Sequence, residues 1–79
     1  MKLRDMNATQ ERDALVLAEA RIRQLAVGAE IQVKFTSRYW RKARVTRIGR
    51  GEIRFIQTWV EASRSWSNER KLTAYDLVP

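Results

Sequence analysis

The spacing of apolar residues changes at Gly28, and few folds accommodate both sides of that change. Before it, Leu15, Ala18, Ile22 and Leu25 recur at intervals of three, four and three residues, which stacks them on one face of a helix. After it, Ile31, Val33 and Phe35 alternate with Glu30, Gln32 and Lys34, the period of a half-buried strand. The expectation is an α+β chain, mainly β, with an amphipathic helix over 8–27 followed by an antiparallel barrel of five short strands over 28–79. Asn7-Ala8-Thr9-Gln10 has the spacing of a capping box at the helix start. Gly28 stands where a helix most readily turns left-handed and stops.

Within the second segment, strand one starts at Glu30 and Thr36 to Tyr39 form a loop. Strand two runs from Trp40 to Ile48, with Ala43 and Val45 on one face and Lys42, Arg44 and Thr46 on the other. Gly49-Arg50-Gly51 supplies residues tolerant of positive φ for a hairpin turn. Strand three opens with Ile53 and Phe55 pointing inward, and its parity slips afterwards, so a bulge is expected near Ile56-Gln57. Ser63 to Ser67 make strand four, and Asn68 to Lys71 an exposed run. A helical turn after Leu72 leads into a short closing strand at Asp76-Leu77-Val78, ended by Pro79, which cannot donate to a ladder. Val33, Phe35, Val45, Ile53 and Phe55 are the expected core. The helix stripe caps the barrel or pairs with a second copy in a homodimer, and Leu17 lies off that stripe.

With 79 residues there is room for one modest core, so function has to sit on the surface. Cysteine and histidine are absent, which removes disulfides, Cys/His zinc sites, thiol nucleophiles and imidazole bases. The carboxylates are isolated from one another, and Ser63, Ser65 and Ser67 have no base beside them. Gly49-Arg50-Gly51 lacks the Lys-Ser/Thr end of a phosphate loop. The chain is read as a binding module, not an enzyme, with no cofactor. The charged start Met1-Lys2-Leu3-Arg4-Asp5-Met6 argues against a signal peptide, and the longest apolar run, Ala14 to Ala18, is far too short to span a membrane. A cytoplasmic location is expected.

Charge is uneven. Residues 1–29 hold five basic and four acidic side chains, net +1, whereas residues 30–79 hold eleven and five, net +6. Such a field attracts polyanions or acidic proteins. Tyr39 and Trp40 lie among Arg38, Arg41 and Lys42, a mixture of phosphate-binding cations and rings able to stack on unpaired bases. If Ala43 and Val45 face inward, Lys42, Arg44 and Arg54 share the outer face across the hairpin. Arg47 and Arg50 extend the strip. Twelve of the sixteen basic residues are Arg, which favours forked phosphate contacts. Trp40 is either a barrel plug or a stacking platform, and Trp59 and Trp66 are read as core or rim packing.

Gly28 before Ile31-Gln32-Val33, Trp40 before Ala43-Arg44-Val45, a glycine-bearing turn, Ile53-Arg54-Phe55 and a closing Asp76-Leu77-Val78 give residues 28–79 a pattern that resembles the SH3-like barrels of the Tudor and agenet kind. The resemblance implies a five-stranded barrel, and in those families an aromatic cage for a methylated Lys or Arg. The corresponding rings here are Tyr39, Trp40, Trp59 and Trp66. Arg38, Arg41 and Lys42 flank them, and like charge opposes a cationic ligand. The expected function is a regulatory or accessory protein, of the character of phage or mobile-element proteins and inhibitors. Its basic face binds DNA, RNA or a nucleic-acid-processing enzyme. The alternative is an adaptor whose arginines meet an acidic protein.

Overall fold

The computed structural model describes residues 8–78. The capping box at Asn7, the charged start and the role of Pro79 lie outside the described residues. The architecture is α+β and mainly β: one helix, α1 (Ala8–Arg23), precedes five antiparallel strands, β1 (Glu30–Lys34), β2 (Trp40–Ile48), β3 (Arg54–Val60), β4 (Ser65–Trp66) and β5 (Arg70–Lys71). Short 3-10 turns occupy Arg50–Glu52 and Ala74–Leu77. Among the described residues no helix is long and apolar enough to cross a membrane.

The helix ends four residues before the expected boundary, and the reason is tertiary. Gln24 N–H donates to Arg21 O and Leu25 N–H to Ile22 O, both at 3.1 Å, bonds one residue shorter than the α-helical repeat that tighten the last turn. The guanidinium of Arg54 then takes the freed carbonyls of Arg23 at 2.7 Å and Leu25 at 3.1 Å. Gly28, at φ +94°, completes the turn. Its N–H bonds to Val45 O and Val45 N–H bonds to Ala29 O, at 2.8 and 2.9 Å, which hooks the chain onto the sheet.

The stripe on α1 is divided between the inner face of that sheet and the turn at 74–77. Ile22 joins Val33, Ala43, Val45, Ile56 and Leu72 in the main core, with Leu25 and Ile31 packed against it. Ala18 joins Ala74 and Val78 in a second cluster, flanked by Leu15. Val33 and Val45 are buried as expected. Phe35 is not: it is 54% exposed, because β1 ends at Lys34 and Phe35 already belongs to the turn, where its N–H bonds to Tyr39 O.

Parity in β3 is the reverse of the expectation. Arg54, Ile56 and Thr58 are buried, while Ile53 and Phe55 are only half-buried. The bulge lies in β2, where the register shifts between Val45, opposite Ile56, and Arg47, opposite Phe55. Thr46 is the extra residue, and its hydroxyl donates to Glu69 Oε2 at 2.6 Å. Val45 and Ile56 thereby meet in the core while Arg47 and Phe55 both turn outward.

β4 and β5 pair one after the other with β3, at Trp59↔Trp66 and Phe55↔Lys71. The fifth strand is thus Arg70–Lys71, not the expected 76–78. Residues 73–77 are held as a turn by reciprocal capping: Asp76 Oδ2 accepts the Thr73 N–H at 2.8 Å, and Arg70 clamps both oxygens of Asp76 at 3.0 Å. That turn packs against α1 and β1. Between β1 and β5 no ladder forms among the described residues.

Candidate functional site on the outer face of the sheet

Alternation along β2 and β3 turns Lys42, Arg44 and Thr46 outward together with Phe55, Gln57 and Trp59, and the β3–β4 register adds Trp66 opposite Trp59. The two indoles meet edge to face, with centroids 5.3 Å apart and planes at 72°. This pair is the floor of the site. The Arg44 guanidinium lies 4.1 Å from the Trp66 ring centroid, and the Lys42 ammonium lies 5.5 and 5.7 Å from Trp59 and Trp66. Both are within the range of cation–π attraction.

Arg44 is fixed a second time. Its Nε and Nη2 donate to Gln57 Oε1 at 3.1 and 2.8 Å, which leaves the Nη1 side of the fork open. Gln57 is neutral, so the guanidinium is oriented without being neutralised. Neither Lys42 nor Arg44 makes an ion pair among the described residues.

Three acids are committed to other arginines, while Glu61 accepts the Trp59 Nε1–H at 2.8 Å and Glu30 stands opposite Arg44 in the β1–β2 register. Arg47 stacks on Phe55 at 3.8 Å and pairs with Glu69 at 2.8 Å. Hydrogen bonds from Thr46 and Arg47 hold the Glu69 carboxyl below its ordinary pKa. For Asp76, burial pushes the pKa up, but bonds from Arg70 and Thr73 outweigh it and the carboxyl ends below the ordinary range. Glu52 pairs with Arg54 at 2.7 Å.

Arg54 is the clearest correction to the expected basic face. It is 5% exposed and points into the seam between α1 and the β2–β3 turn, bonded to the carbonyls of Arg23, Leu25 and Glu52 and to the Glu52 carboxylate. The expected patch of Lys42, Arg44 and Arg54 therefore reduces to Lys42 and Arg44, with Arg47 beside them in a neutralised pair.

The remaining expected residues are dispersed. Arg38 and Tyr39 lie in the exposed β1–β2 turn, where Thr36 Oγ1 accepts both of their backbone N–H groups. Trp40 shares the outward parity of Lys42 and is 41% exposed, so it is no barrel plug. Arg41 has the opposite parity and lies 3.5 Å from the centroid of Phe35. Arg50 sits exposed in the turn at the far end of β2.

Trp59 and Trp66 are half-buried on the outer face and lie outside the core clusters. Their place beneath the cations, with Gln57, was missed. Accepting Ile56 as the core residue of β3 would have placed Phe55, Gln57 and Trp59 together on the other side. The four rings that would correspond to a Tudor-type cage do not assemble: Trp59 and Trp66 contact each other, and among the described residues no ring contact joins them to Tyr39 or Trp40. No group of three or more metal-ligating side chains occurs among the described residues. No protein-family model, curated protein or solved structure matches the chain.

Proposed function

We propose that the chain is a non-catalytic, cytoplasmic nucleic-acid-binding module that engages the phosphate backbone through Lys42 and Arg44. One observation carries the reading: two cations stand on a tryptophan floor, one of them fixed by Gln57, and neither is in an ion pair among the described residues, Glu30 opposite Arg44 included. An oriented guanidinium loses less freedom on meeting a phosphate, and its open side suits a forked contact. The floor faces these cations, so this face reads charge and spacing in preference to base identity. Five antiparallel strands after Gly28 support the SH3-like relationship as part of the same proposal, without the methyl-lysine cage.

Affinity for a short duplex and for a single strand, measured at several salt concentrations, tests it. Lys42→Ala and Arg44→Ala should each lower the salt slope on duplex by about one unit, because one fewer counterion is released. A folded wild type that binds neither strand form at low salt ends the reading, and an acidic protein partner then becomes the explanation of the same two cations.

A further inference from the structure

Among the described residues, β1 is hydrogen-bonded on one side only. Val45 N–H donates to Ala29 O and Phe35 N–H to Tyr39 O, both at 2.9 Å. Odd-numbered residues along this segment thus turn their backbone groups toward β2, and antiparallel alternation turns those of Glu30, Gln32 and Lys34 to the other edge. No strand pairs there among the described residues, and none of these outward N–H and C=O groups has a partner among them. The far edge of β3, by contrast, is covered by β4 and β5.

A free edge is a template for another strand, and the sequence of this one is complementary to itself. Two copies of Glu30-Ile31-Gln32-Val33-Lys34 laid antiparallel about Gln32 place Glu30 opposite the partner's Lys34 and Lys34 opposite the partner's Glu30. Gln32 meets the partner's Gln32 on the axis. All three pairs join residues with outward backbone groups, so each exchanges both of its N–H···O bonds. A slip of two residues either way opposes Gln32 to a charged residue and loses both charge pairs. The carboxylate of Glu30 faces Arg44 across the β1–β2 ladder without an ion pair among the described residues, and Lys34 has none among them either. A groove of about 580 Å³ borders Ile31, Gln32 and Trp40, closed on its other sides by Arg21 and Leu25 near the end of α1 and by Leu77 of the turn that packs against β1.

We propose that β1 is the interface of a two-fold homodimer in which the sheets of two copies join edge to edge. Opposed residues across such a ladder share a face, so the outer faces merge and bring two rows of Lys42 and Arg44 onto one side. The dimer does not rest on the nucleic-acid reading, since it is defined by β1 alone.

Sedimentation equilibrium at low salt, without nucleic acid, tests it, with folding checked by circular dichroism. Wild type should dimerise. Lys34→Glu and Glu30→Lys should each weaken self-association about tenfold or more, because two like-charge pairs replace two opposite ones. Mixing the two variants should restore dimerisation as a heterodimer, in which every opposed pair is again of opposite sign. A monomeric wild type overturns the proposal. So do variants that dimerise undiminished, as pairing through the exposed Val16 and Leu17 of α1 would allow, and a mixture that fails to recover. Duplex binding by monomeric variants, which retain Lys42 and Arg44, reports on the phosphate face separately.

Discussion

Arg44 and Arg54 stand on neighbouring strands of one hairpin, and their surroundings are opposite. Arg54 is buried, ion-paired and bonded to three carbonyls from two parts of the chain. Arg44 lies on an indole, fixed by a neutral amide, with its charge uncompensated. The first holds the helix to the sheet, and the second leaves a charge for something outside the molecule. Residue type and local sequence do not distinguish these roles. Strand parity and the presence of an acid do.

The sharpest way to break this contrast is Arg54→Ala, which strands the carbonyls of Arg23, Leu25 and Glu52 and should cost about 3–5 kcal/mol. Denaturant unfolding measures it, and a loss under about 1 kcal/mol would mean that the seam is not what anchors α1. Next, Ile56→Ala should cost about 2–5 kcal/mol as a core deletion. Phe55→Ala should cost clearly less, since its ring is half-buried on the outer face; equal losses would contradict the parity of β3.

A smaller effect is expected from acid. Asp76 has its pKa lowered on folding, so its contribution to stability is present above the unfolded carboxylate value and lost as pH falls through the folded one. Asp76→Asn should therefore destabilise at neutral pH and flatten the acid limb of the stability profile in thermal melts across pH. Smallest of all, Arg44→Ala should change unfolding free energy by about 1 kcal/mol or less, in keeping with a cation–π contact at the surface. A larger loss would make Arg44 structural and remove the contrast with Arg54.

Much of this was legible along the chain. The stripe on α1 and the alternation of Val33, Ala43 and Val45 are local periodicities, and each names its own buried face. Lys42 and Arg44 follow from the same alternation. Arg54 and Phe55 were misread because hydrophobicity assigned Phe55 inward, whereas the bulge at Thr46 sets the register between β2 and β3. A bulge is selected by packing on both strands, so neither strand announces it alone. Trp59 and Trp66 went with Phe55: once the parity is reversed, rings that resemble core become the floor of a surface. The closing strand failed for a local reason, since Thr73 and Asp76 have the spacing of an N-terminal cap.

The seam around Arg54 also predicts an order of events in folding. The carbonyls of Arg23 and Leu25 are bonded by a guanidinium 31 and 29 positions away in the chain, which Glu52, two residues before it, steadies through its carbonyl and carboxylate. Closing so long a loop comes after nearer contacts have formed. The last turn of α1 should therefore form only after β3 has brought Arg54 to it. Destabilising that turn should speed unfolding while leaving the rate of folding almost unchanged.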